Sequence, residues 1–219
     1  MRRTIFDKLL SATGLLLVVV LIVAGGLLTW GHDYIVTQVH NQLAAQEITF
    51  PTTTNPEFKA LPASDQTAMG TYAGQQMLTG AQAETYADHF IAYHLSKMPY
   101  QGIYAKVSAA ALAAPAGSAQ QNALQKVEAT VFQGTTLRGL LLEAYAFGTM
   151  GTIAGFAAIA AFIGAALLLA LSLLGLYHGR RVSPDEKVFT PNRPIAEPLS
   201  ADSDLRHNDN ENVSETIYQ

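Results

Sequence analysis

Apolar positions along the chain fall into two uncharged runs, Leu9 to Trp30 and Ala144 to His178, on either side of a polar stretch. A bilayer core about 30 Å thick needs ~20 apolar residues at 1.5 Å each. Leu9 to Thr29 meets that length, and Trp30 stands where an indole prefers the headgroup layer. A signal peptide has a shorter apolar core, ~7–15 residues, and a small-residue exit. Here Leu27, Leu28, Thr29, Trp30, Gly31 and His32 follow, with no Ala-x-Ala-like site, so an uncleaved anchor is expected.

The second run is longer than one perpendicular crossing. Glu143 and Arg180 are separated by thirty-six uncharged residues, roughly 54 Å of helix. Tilt absorbs part of the excess and a continuous helix above the membrane takes the rest. Arg180 and Arg181, with Tyr177 as interface aromatic, fix one boundary, so the surplus lies at the Tyr145 end. Basic residues close to the spans set orientation: Arg2, Arg3 and Lys8 precede the first, and Arg180, Arg181 and Lys187 follow the second. Both termini are therefore expected in the cytoplasm and the loop outside. The divisions are a cytoplasmic start (1–8), a first span (9–30), an extracytoplasmic helical domain (31–143), a second span with outward extension (144–179) and a tail (180–219).

Between the spans the pattern is helical. Ile35, Val39 and Leu43 recur every four residues with Val36 beside them, which carries the first helix outward to about Gln46. Pro51, Pro56 and Pro62, with the Thr52 to Asn55 run, then predict a surface linker. Helix resumes within Asp65 to Met98, interrupted near Gly80. Tyr86, Phe90, Tyr93 and Lys97 lie on one face with Ala87, Ile91 and Leu95 near it, and Pro99 closes it. Ile103 to Ala114 is a short Ala-rich helix. Ser118 and Gln121 form a capping box for the next, whose buried stripe is Leu124, Val127 and Val131, with Gly134 as its stop. A last helix is expected from Thr135 or Thr136. No alternating β-rich run competes.

Charge and composition narrow the chemistry. The loop carries five basic and eight acidic residues, so it offers no basic patch for nucleic acid. Without cysteine there is no disulfide, iron–sulfur cluster or haem-attachment motif. About 110 residues suffice for one modest core held by packing alone. Neither span holds a charged residue in its core, which argues against a pump, channel or carrier acting alone. His89 and His94 are five apart, about 140° on an α-helix, and Glu84 and Asp88, though at i, i+4, have no aligned histidine. His32 and His40 bracket two turns near the membrane surface. These histidines read as solvated or hydrogen-bonded, with no metal and no cofactor expected. Gly-x-Ser-x-Gly, Ser-x-x-Lys sets and phosphate-binding Gly-rich loops are absent, so no enzyme is expected.

The second span offers one packing feature. Gly151 and Gly155 make a small-xxx-small step, which Gly148, Ala158 and Gly164 extend into a low-relief surface. It either receives the protein's own first span, with Gly14, Gly25 and Gly26, or docks a partner's helix. The tail from Val182 contains Pro184, Pro191, Pro194 and Pro198 and then an acidic, Asn-rich end, so disorder is expected, with a docking motif possible around Val188 to Pro194.

Four segments, FDKLLSATGLLL, AGGLLTWGHDYIVTQVHNQLAAQ, TGAQAETYADHFIAYHL and LRGLLLEAYAFGTM, resemble a family of two-span actinobacterial membrane proteins without an assigned role. The resemblance covers most of residues 5–181. Some members carry a ring-opening dioxygenase label, but this chain lacks a His/Glu iron-ligand set, and the family supplies no catalytic residues.

The expected fold is all-α. Two transmembrane helices extend outward as a helical hairpin, capped by a small all-α extracytoplasmic head. The expected function is that of a non-enzymatic accessory subunit of a larger membrane complex, with the bilayer and other integral membrane proteins as partners. Whether a small molecule binds is left open. The alternative is an extracytoplasmic sensor of a ligand or peptide that signals through the spans and tail. The topology is checked by single cysteines at Ser118 and Ser200. On intact cells an impermeant thiol reagent should label only Ser118→Cys, and equal labelling at both sites would refute the two-span layout.

Overall fold

The computed structural model describes residues 3–181. The tail from Val182, including Val188 to Pro194, lies outside them. Every named element is helical. Helix α1 (Arg3–Ala44) and helix α7 (Ala119–Arg181) are the two long ones, about 63 Å and 95 Å at 1.5 Å per residue. Each holds a stretch long and apolar enough to cross a membrane. They pack along each other, and the short elements between them gather at the end formed by the C-terminal part of α1 and the N-terminal half of α7.

The continuation of α1 past its apolar run ends as its apolar stripe predicts, with Val39 and Leu43 buried. The proline-rich segment after it is more than a surface linker. Pro56 stands at the first turn of α2 (Pro56–Lys59), where its missing N–H leaves no bond unmade. Asn55 caps that turn by accepting from the Glu57 N–H at 2.8 Å. Pro62 precedes α3 (Ala63–Gly70). Phe50, Phe58 and Leu61 hide within this segment, each at most 5% exposed. Single apolar residues between prolines show no periodicity, which is why sequence reading left them on the surface. Residues 48–50 also pair with 74–77: Phe50 N–H donates to Gln75 O at 2.9 Å and Met77 N–H to Ile48 O at 2.8 Å. This antiparallel contact amounts to one isolated bridge, Thr49 with Gln76, rather than a strand.

The helix expected over Asp65 to Met98 is broken at residues 71–79 and restarts at Gly80. Thr79 caps α4 (Gly80–Tyr86) through a reciprocal box with Gln82. A π-helical turn (Ala87–Ile91) then leads into α5 (Ala92–Ser96). Pro99 opens a 3₁₀ turn (Pro99–Gly102) in which Tyr100, Gln101 and Gly102 all have positive φ, and α6 (Tyr104–Ala113) follows. The core joins these pieces to the long helices: Met69, Met77, Ala83 and Ala87 are wholly buried against Val39, Leu43 and Leu141. Phe50 sits edge-on to Tyr86 with centroids 5.4 Å apart, and Tyr86 tilts against Phe90 at 4.8 Å, favourable aromatic geometries.

The end of the head differs from expectation. No separate last helix starts at Thr135, because α7 runs unbroken from Ala119 to Arg181. Gly134 is not a stop. A Cβ there would sit 2.8 Å from Leu95 Cδ2, so the glycine makes room for α5 to lie on α7. A mid-helix glycine costs about 1 kcal/mol relative to alanine, less than seating a leucine returns. Ser118 caps α7 by accepting from Gln121 N–H at 3.1 Å, while Gln121 Oε1 turns to Gly117 N–H rather than completing the box.

Two glycines separate backbone strain from crowding. Gly102 and Gly117 both have positive φ, 63° and 71°. A Cβ on Gly102 would run into the Leu95 backbone, whereas on Gly117 it would meet nothing within 4 Å. Gly117→Ala should therefore cost only the left-handed penalty, about 1–2 kcal/mol. Gly102→Ala should add a steric term of roughly the same size or more. Thermal unfolding of the two variants checks the order, and a smaller loss for Gly102→Ala would contradict the packing described.

Candidate functional site

The small residues singled out in sequence meet neighbours from the same chain. A Cβ on Gly151 would stand 3.1 Å from Ile35 Cγ2, one on Gly155 3.0 Å from His32 Nδ1, and one on Gly164 3.5 Å from Leu21 Cδ1. Ala158 is 4% exposed. These four therefore belong to the seam between α1 and α7. Gly148 looks elsewhere, with a Cβ position 3.4 Å from the Cα of Gly80 at the start of α4. It lets the head approach α7.

The seam is longer than those residues and keeps one register. At its far end Ser11 packs on Gly175 and Ser172 on Gly14, and further along the Phe162 ring covers Gly25. The inward positions repeat every seven residues. On α1 they are Ser11, Val18, Gly25, His32 and Val39, and on α7 Ala144, Gly151, Ala158, Ala165 and Ser172. A seven-residue repeat holds two helices in continuous contact by winding them gently. Small residues at it bring the backbones close, the main source of attraction between helices where surrounding apolar groups remove the hydrophobic drive. This repeat is visible in the sequence once small residues, rather than large apolar ones, are counted, and the expectation of a GxxxG-like step caught only part of it.

Among the described residues one polar contact crosses the seam. His32 Nδ1 lies 2.7 Å from the Gly151 carbonyl oxygen. The carbonyl can only accept, so Nδ1 carries the hydrogen.

The other histidines have separate partners. His89 Nδ1 is 2.9 Å from Asp65 Oδ1, and His94 Nδ1 is 2.7 Å from the Phe90 carbonyl one turn back. The π-helical turn holds one residue more than an α-turn, so the 140° separation inferred for an ideal helix does not apply there. Different partners keep the two rings to separate tasks. Asp88 pairs with Arg138 on α7 at 2.7 Å, not with a histidine. Among the described residues no three His, Asp or Glu side chains gather closely enough to hold a metal ion. Burial pushes the Tyr86 hydroxyl above its ordinary value, with the Glu57 carboxylate adding to it, so this phenol is a neutral packing group.

A feature that sequence reading missed is a groove of about 520 Å³ between the head-side parts of α1 and α7. Ile35, Val39, Leu43 and Leu141 belong to its lining, and Leu137, Leu140 and Phe147 come from α7. Gln38 and Gln42 come from α1 and Gln46 from the turn just after it, four residues apart in sequence. Their side-chain amides make no hydrogen bond with other described residues. The signal available in sequence was that same four-residue repeat of glutamine beside the Ile35, Val39, Leu43 stripe.

Compared with protein-family models, curated proteins and solved structures, the chain matches none. Its site is therefore argued from its own residues.

The register of the seam can be tested in this cysteine-free chain. The Cβ of Ser11 lies 4.0 Å from where a Cβ on Gly175 would stand, inside the 3.5–4.5 Å range of disulfides. Ser11→Cys combined with Gly175→Cys should cross-link rapidly under mild oxidation, seen as a linked pair of fragments after cleavage in the head. Leu16→Cys with Gly175→Cys, lying off the seam, should not. Equal yields would rule out this register.

Proposed function

We propose that the chain is a non-enzymatic accessory subunit of a larger membrane complex. It crosses the bilayer twice, with both ends in the cytoplasm and the head outside. In the most apolar stretches of α1 and α7 only 11% and 17% of residues are buried, whereas the core helix of a water-soluble protein hides such residues. Leu16, Ile22, Leu27, Ile159, Leu167 and Leu174 point outward instead, as lipid-facing residues do. The flanking Arg3, Lys8 and Arg180 support cytoplasmic ends, and the lipid bilayer is the first partner.

The observation that carries the subunit reading is apolar surface beyond the reach of that bilayer. About 20 residues of α7 counted back from Arg180 end near Ile159, level with the outer end of the first span through the facing pair His32 and Gly155. Above that level Leu140, Phe147, Met150 and Ile153 are 48–62% exposed. Exposed apolar surface of this extent, continuous with a lipid-facing stripe, fits the helix of another integral membrane protein. Respiratory and cell-envelope assemblies are settings offered by analogy alone. The alternative, a sensor of an external ligand, draws on the groove beside the same face.

The test is a photoreactive benzoylphenylalanine placed at Met150 and, as a control, at the exposed Lys126 in the head. Irradiation of cells should link position 150 to a different integral membrane protein and leave position 126 unlinked. Linkage of position 150 only to lipid, only to a second copy of this chain, or to nothing would defeat the proposal.

A further inference from the structure

Thr29 of α1 lines a cleft together with Gly155 and Phe162 of α7, which marks these positions as one side of the seam. The seven-residue repeat carries that side to the other end of the hairpin. Back along α1 from Thr29 come Ile22, Leu15 and Lys8; onward along α7 from Phe162 come Leu169 and Leu176, with Arg180 one turn further. Lys8 stands three residues beyond Ser11 and Arg180 five beyond Gly175, the two that meet across the seam, so both cations lie within about 3 Å of one height. Both are exposed, and the described residues give neither side chain a hydrogen-bond or ion-pair partner. Asp7, the neighbouring acid, falls about 100° around α1 from Lys8. Next to the cations the same rows are hydrocarbon: Leu15 and Leu176 are half-buried, and Leu169 is exposed.

We propose that Lys8 and Arg180 hold the phosphate of an anionic phospholipid of the cytoplasmic leaflet, whose acyl chain lies along Leu15, Leu169 and Leu176. The inference rests on the membrane placement given above and assigns one lipid class to one side of the hairpin. A guanidinium meets two phosphate oxygens at once, and a lysine adds a point charge beside it. The small residues Ser11 and Gly175 bring the two backbones together at this end, so cations from both helices converge on one headgroup. Each basic residue near a membrane surface strengthens binding of anionic lipid about fivefold, the equivalent of roughly 1 kcal/mol. A zwitterionic headgroup carries its own ammonium, which the same cations repel. Free inorganic phosphate matches the cations but not the leucines beside them, whereas a phospholipid matches both.

The chain's one tryptophan, Trp30, lies at the far end of the first span, so a reporter can be placed at the site. Full-length protein carrying Trp30→Phe and Leu15→Trp is put into vesicles of phosphatidylcholine with a minor fraction of phosphatidylglycerol. Either lipid in turn carries brominated acyl chains that quench tryptophan fluorescence. Brominated phosphatidylglycerol should be preferred at position 15 by roughly twentyfold, about fivefold for each cation. Lys8→Gln or Arg180→Gln should each lower that preference about fivefold, and the two together should abolish it. Arg3→Gln, which falls on the other side of α1, should leave it unchanged, and the native Trp30 should report no preference. Leu169→Trp in place of Leu15→Trp repeats the measurement from α7, so a disturbance caused by either reporter is recognised. The proposal is overturned if both lipids quench position 15 alike, if the preference survives the double change, or if Arg3→Gln lowers it as much as Lys8→Gln, the behaviour of a diffuse basic flank. It is also overturned if inorganic phosphate displaces the brominated phosphatidylglycerol where chloride of equal ionic strength does not, the behaviour of a site for the free ion. Equal quenching by both lipids removes this inference alone, whereas quenching by neither removes the membrane placement on which it rests.

Discussion

The close approach of α1 and α7 along residues too small to hold their backbones apart is the constraint on which the remaining structure depends. Gly14, Gly25 and Gly175 each occupy a place where a side chain would collide with the opposite helix, and one at Gly151 or Gly155 would press tightly on Ile35 or His32. The cost of glycine in a helix, about 1 kcal/mol per residue against alanine in water, falls away wherever the alternative to helix is unbonded backbone in hydrocarbon. What remains is the gain in dispersion contact between the two backbones and their neighbours. Because the contact repeats every seven residues, it fixes the relative height of the helices as well as their distance, and so determines which head residues can meet.

The head is assembled on that fixed pair rather than beside it. Val39 and Leu43 from α1 and Leu141 from α7 belong to the same cluster as Phe50, Met69 and Met77. Removing either long helix would leave the cluster without a floor. The π-helical turn serves this arrangement. It lies where the α4–α5 helix touches both α3 and α7, and its Asp88 and His89 reach Arg138 and Asp65 in opposite directions. Exposed pairs of this kind contribute about 0–1 kcal/mol, so their role is to orient the turn over a core that supplies most of the stability.

The long elements were legible in the sequence because their patterns persist over many turns. The apolar run of α1, its Ile35, Val39, Leu43 extension, the break at Pro99 and the Ser118 cap each follow from a local rule that the tertiary structure does not override. The head's core was not legible, because Phe50, Phe58 and Leu61 lie in segments too short to show a period, and their burial is decided by partners well along the chain, such as Tyr72 and Tyr86 for Phe50. Gly134 misled for a related reason. A glycine reads as a stop when only its own helix is considered, and as a recess once Leu95 stands opposite. The small-residue surface of α7 was half legible. Gly151 and Gly155 stood out as a pair, while Gly148 has the same appearance in sequence and serves the contact with Gly80 instead. The groove needed α7 as its second wall before the residues of α1 that line it had any meaning.

The absence of a hinge in α7 has a mechanical consequence. The helix that closes the head is the helix that enters the apolar zone, unbroken over residues 119–181. On the proposed placement about 60 Å of it stands beyond the bilayer. A long apolar helix adjusts to a change in bilayer thickness by leaning, and a rigid rod of that length moves its tip sideways by roughly 10 Å for every 10° of lean. On that proposed placement, head position would be geared to the lipid around the spans. A neighbour gripping the far end would hold the pair of helices at one angle, as a hand on the top of a mast steadies its foot.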